Sequence, residues 1–99
     1  MENLTTTQRK HLRSLAHHLK PVITIGVKGL TDAVVEETQR ALEHHQLMKI
    51  KVVSDNREQR NALILDLCSR IEATLVAKIG MTATLYRPDP DEPRITLPL

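Results

Sequence analysis

The spacing of apolar residues changes several times along the chain, and each change marks an element. Leu12, Leu15, Ala16 and Leu19 recur at helical spacing behind the cap candidates Thr5-Thr6-Thr7. At about 100° per residue they cover one side of a helix, and Arg9, Lys10, Arg13 and His17 fall mostly on the other. Pro21 ends that helix, because the residue before a proline is pushed out of the α region. Val22, Ile23 and Ile25 then read as a short, well-buried strand. Thr31 caps a second helix with Val34, Val35, Ala41 and Leu42 on its apolar face. Asp32, Glu36 and Glu37 sit in its first turns, where the helix dipole favours acids. Glu36 and Arg40 are ordered for an i,i+4 pair.

Met48, Ile50 and Val52 alternate with Lys49 and Lys51, the pattern of a half-buried strand. Ser54-Asp55-Asn56 is a turn and cap for a third helix over 57–72. Its middle, Ala62-Leu63-Ile64-Leu65, is apolar nearly all round, which predicts the most buried helix. Thr74–Ile79 and Thr82–Arg87 are strands joined at Gly80-Met81, a pair suited to a tight hairpin. From Pro88 onward, further prolines and acids imply an extended tail, in which Ile95-Thr96-Leu97 is a candidate edge strand. The order α-β-α-β-α-β-β predicts an α/β fold, a two- or three-layer sandwich with a four-stranded mixed sheet closed by an antiparallel hairpin. Residues 1–99 make one domain, with a core over about 4–87 and the tail over 88–99.

Composition narrows the class. A hydrophobic fraction of 40% and a charged fraction of 26% are those of an ordinary globular protein. No apolar run approaches the ~20 residues of a membrane span. Met1-Glu2-Asn3-Leu4-Thr5 lacks a signal-peptide pattern, so a cytoplasmic protein with no membrane partner is expected. A single cysteine leaves no internal disulfide. The net charge of +2 is unevenly spread. Residues 1–30 carry Arg9, Lys10, Arg13, Lys20 and Lys28 against Glu2 alone, whereas Asp89, Asp91 and Glu92 crowd the tail. One positive surface facing a polyanion is the implication.

Catalytic groupings are not visible. Cys68 shares a helical stripe with Ile64, Leu67 and Ile71, the placement of a core residue. None of the five histidines stands at i,i+4 from another or beside a cysteine at ligand spacing, so no metal is expected. His44 and His45 close the second helix, where cations suit the dipole. No G-x-S-x-G or phosphate-loop motif occurs. The reading is a protein that is not an enzyme and needs no cofactor.

Polyanion binding has better support. Ile25-Gly26-Val27-Lys28-Gly29-Leu30-Thr31 carries a strand into a G-x-x-G loop with one lysine, and a helix begins at once. Glycines remove the Cβ from a point of close approach, and amides before a helix are donors for an anion. By spacing alone the same stretch also reads as a plain strand-to-helix turn with a solvated lysine. Around it lie the stripe Arg9, Arg13 and His17, with Lys20 beyond, then Lys49 and Lys51, and Arg57 and Arg60 at the start of the third helix. The chain has no Phe or Trp and one Tyr, Tyr86, whereas readers of unpaired strands stack bases on aromatic platforms. Backbone-directed recognition of structured RNA fits this composition.

Several segments together resemble one family. They are Leu15-Ala16-His17-His18-Leu19-Lys20-Pro21-Val22, the loop segment Ile25–Thr31, Ala41-Leu42-Glu43-His44-His45-Gln46-Leu47, Ile79-Gly80 and Leu85-Tyr86-Arg87. In that order they closely resemble the bacterial YhbY family, stand-alone versions of the chloroplast RNA splicing and ribosome maturation (CRM) domain, over about residues 4–97. The resemblance implies a fold similar to the C-terminal domain of bacterial translation initiation factor three. It also implies an RNA-binding protein associated with large ribosomal subunit precursors; a monomer is expected. It places the RNA contact at Gly26, Val27, Lys28 and Gly29, and extends it to Arg13, Lys20 and Arg57. Family members often carry lysine after the hairpin glycine, where this chain has Met81, so the resemblance gives the hairpin no part in binding. A protein–protein adaptor on the ribosome, without direct RNA contact, is the alternative.

Overall fold

The computed structural model describes residues 4–99; Glu2 and Asn3 lie outside them. Seven elements follow in the expected order: α1 (Thr6–Ala16), β1 (Pro21–Ile25), α2 (Asp32–His45), β2 (Leu47–Val52), α3 (Arg57–Ile71), β3 (Thr74–Ile79) and β4 (Thr82–Tyr86). Each helix begins on a side-chain cap that satisfies an otherwise orphaned amide. Thr5 and Gln8 form a reciprocal capping box, with both bonds at 3.1 Å. Thr31 Oγ1 accepts from the Val34 amide at 3.2 Å, and Asn56 Oδ1 from the Gln59 amide at 3.0 Å. The anticipated Glu36–Arg40 ion pair closes at 2.6 Å.

The sheet order is β1-β2-β4-β3. β1 runs parallel to β2, and β4 is antiparallel to both of its neighbours. β1, β2 and β3 therefore all point the same way, with β4 inserted between the last two. The β1–α2 loop, the β2–α3 turn and the β3–β4 hairpin consequently gather at one end of the sheet. Two bonds tie them there: the Val53 amide to the Ile25 carbonyl at 2.9 Å, and the Val52 amide to the Met81 carbonyl at 2.7 Å.

The molecule has three layers. α2 and α3 cover one face of the sheet over a core of Ile23, Ile25, Leu42, Ile50, Leu67 and Leu85, among others. α1 covers part of the opposite face, where Leu12 and Ala16 meet Leu47, Val76 and Tyr86. The alternation of β2 follows from this: Met48, Ile50 and Val52 face α2 and α3, while Lys49 and Lys51 face the other way.

Four expectations need correction. α1 stops at Ala16 instead of running to Pro21, because the His17 amide bonds back three residues to Ser14, tightening and ending the last turn. Val22 is 46% exposed, since β1 is an edge strand covered on one face only. α3 is not buried all round: Ile64, Leu67, Cys68 and Ile71 form its inner stripe, and Leu65 is 59% exposed. Ile95-Thr96-Leu97 forms no strand; Ile95 and Leu97 instead pack into the α1 cluster. The rest of the tail is held as well. Gln46 Nε2 donates to the Glu92 carbonyl at 3.0 Å, and Gln46 Oε1 accepts from the Arg94 amide at 3.1 Å.

Candidate functional site

The G-x-x-G segment is a closed turn at the gathered end. The Gly29 amide donates to the Gly26 carbonyl at 3.0 Å, and the Thr31 amide to the Gly29 carbonyl at 3.1 Å. These bonds turn part of the loop's donor set inward and leave the amides of the two central residues, Val27 and Lys28, outside the closing bond. Val27 is 97% exposed, and Gly26 and Lys28 are exposed with it. The two glycines differ. Gly29 sits at φ +68°, a left-handed conformation that glycine adopts without steric cost, whereas Gly26 has no such φ and open space where a Cβ would stand.

Two grooves flank the first turns of α3. One, of about 380 Å³, runs between the loop and α3 and is lined by Gly26, Val27, Gly29, Ser54 and Leu63, with Asp55 contributing a carboxylate. The other lies between α3 and the hairpin, lined by Arg57, Arg60, Asn61, Lys78 and Gly80. Lys78 Nζ donates to Asn61 Oδ1 at 3.0 Å. An Arg60 guanidinium N–H is bound to the Ser54 carbonyl, which holds that side chain against the turn. Lys78 escaped the sequence reading because no local pattern says which helix start its strand approaches.

The basic residues of α1 lie elsewhere. Arg13, His17 and Lys20 are exposed, but α1 is on the sheet face away from α2 and α3. Lys20 precedes β1 and the loop follows it, so the five residues of the strand put about 16 Å between them. Arg9 is turned into the fold: its Nη1 donates to the Leu75 and Val76 carbonyls at 2.6 and 2.8 Å. The anticipated residues thus divide into a loop-and-α3 group and an α1 group.

α2 and α3 start at the loop end of the sheet and finish at the other, where Glu43, Glu72 and Asp89 line a separate recess with Arg87. The positive ends of both helix dipoles thus lie beside Lys28, Arg57 and Arg60, and the first-turn acids Asp32 and Glu58 share that end. No cluster of metal-ligating side chains occurs among the described residues. Burial pushes the Cys68 thiol up from 9.0 to about 11, so it is protonated and a poor nucleophile at neutral pH. Tyr86 is 4% exposed and offers no stacking platform. No helix among the described residues is long and apolar enough to cross a membrane.

A three-layer α/β domain with an exposed glycine turn and a cationic groove at one sheet end has the build of a small binding module. Residues 4–87 match the CRS1 / YhbY (CRM) domain, and the chain belongs to that family. It is 42% identical over 98 residues to a Haemophilus influenzae protein named RNA-binding protein, covering 99% of this chain and 98% of that one. It is likewise 42% identical over 87 residues to the probable RNA-binding protein PA4753 of Pseudomonas aeruginosa, covering 88% of this chain and 84% of the relative. The solution structure of SAV1595 from Staphylococcus aureus superposes with a TM-score of 0.83 at 31% identity, covering 97% of this chain and all of that one. The resemblance read from the sequence segments is thereby borne out, as is the mixed four-stranded fold.

Proposed function

We propose that this protein binds structured RNA through its backbone and assists maturation of the large ribosomal subunit as a stand-alone CRM domain. Gly26–Gly29 seats a phosphate on the outward amides of Val27 and Lys28, and the Lys28 ammonium neutralises it. Arg57 and Arg60 continue the contact along α3. Arg13, His17 and Lys20 form a separate basic surface that positions a second part of a large RNA. The protein acts in the cytoplasm as a monomer, without a cofactor or a chemical step. One observation carries the reading: the loop is exposed at the end of the fold that also holds Arg57 and Arg60, in a chain whose relatives are named for RNA binding.

Gel shifts with fragments of large-subunit ribosomal RNA across a salt series test it. Binding that weakens linearly in log salt, with about 0.7–0.9 of slope per neutralised phosphate, is expected. An adaptor that docks only on ribosomal proteins shows no such binding, and that result would replace the RNA reading.

A further inference from the structure

We propose that the groove between α3 and the β3–β4 hairpin is a second phosphate site, and that it and the G-x-x-G loop straddle the two backbones of base-paired RNA. This rests on the RNA reading above and sharpens it to a class of substrate. The two grooves lie on opposite flanks of one helix. Leu63, with Gln59, lines the loop-side groove, and Arg57 and Asn61 line the hairpin-side groove. At about 100° per residue those two pairs point about 160° apart around α3.

The hairpin-side groove is built for an anion from two separate elements. Arg57 and Arg60 come from α3, and Lys78 from β3. None of the three ion pairs among the described residues involves them, and no carboxylate lines the groove. The charge there is left for an outside partner. Bonding to Asn61 Oδ1 uses one ammonium proton of Lys78 and leaves two, while the Asn61 NH₂ group stays available as a further donor. Met81 brings no cation after the hairpin glycine, but Lys78 brings one to the same hairpin from the strand before it.

Spacing and composition then select the ligand. Three strand intervals separate β1 from β3, about 14 Å at about 4.8 Å each. That exceeds the separation of adjacent phosphates along one nucleic-acid strand. Phosphates in the two grooves are therefore not neighbours, and the two backbones across a wide, shallow minor groove supply such a pair. An unpaired strand would need its bases held, and Tyr86, the one residue among Phe, Tyr and Trp, is buried.

The test uses the full chain, an RNA duplex of about 16 base pairs and a polyuridine strand of equal length. Arg57→Ala/Lys78→Ala is expected to lower duplex affinity about tenfold and the duplex salt slope by about 0.7–0.9, with less than about threefold loss on polyuridine. Lys78→Arg in the otherwise unaltered chain should retain duplex binding. Both truncated side chains are exposed, so an unchanged thermal midpoint is expected and verifies the fold. Unchanged duplex affinity in the double variant, or equal losses on both RNAs, overturns the second site. A loss confined to Gly26→Asp likewise leaves the loop reading standing and removes this one. Duplex binding that survives Gly26→Asp but fails in the double variant supports the second site and removes the loop. A wild-type protein that binds neither RNA ends both.

Discussion

The Gly29 amide meets the Gly26 carbonyl at 3.0 Å, so the two glycines of the loop close one turn while doing different work. Gly29 holds a left-handed backbone, and Gly26 merely leaves a space open. Substitution separates the two roles. Gly29→Ala is expected to cost about 1–2 kcal/mol of stability through its φ, since its Cβ would meet Leu63 only at an ordinary 4.0 Å. Gly26→Asp should change stability by less than about 0.5 kcal/mol yet weaken RNA binding about tenfold by setting a carboxylate at the anion site. Thermal melts beside gel shifts check this pair, and a Gly26→Asp protein of unaltered affinity would refute the phosphate seat.

Arg9 and Arg13 stand four residues apart on α1 and face different surroundings. Arg9 fastens α1 to β3 through two carbonyls, whereas Arg13 is exposed. Arg9→Ala should therefore lower stability by about 1–2 kcal/mol, a fall in melting temperature of several degrees for a domain this size. Arg13→Ala should leave the melt unchanged and reduce the salt slope of RNA binding by less than about one unit. Reversed effects would show that Arg9 is free to leave the carbonyls and serve the RNA.

Gln46 is the anchor of the tail. Its side chain is 2% exposed and holds the backbone on both sides of Pro93, and its own φ is +62°. Gln46→Gly keeps a backbone suited to that angle while deleting both bonds. Amide exchange at Arg94 should then accelerate about tenfold, the loss of roughly 1.4 kcal/mol of local protection. Undiminished protection would mean that Ile95 and Leu97 alone hold the segment.

Much of this molecule is written locally. Caps at Thr5, Thr31 and Asn56, the alternation from Met48 to Val52, the Glu36–Arg40 pair and the hairpin at Gly80 all depend on neighbours a few residues away. Periodicity and turn chemistry report such relationships directly. The family was legible for the same reason, since its motifs are short segments in a set order.

Other features depend on which surfaces meet, and local spacing carries no information about that. Leu15, Val22 and Leu65 look like core residues by pattern, yet each is exposed because its element is covered on one side only. Insertion of β4 between β2 and β3 brings Lys78 to Asn61 from 17 residues away, and docking of the tail brings Arg94 to Gln46 from 48 away. The chain alone dictated its helices, strands, caps and kinship. Long-range strand pairing and layer packing, which depend on burial summed over the whole domain, decided which cations share a groove and which one became a clasp.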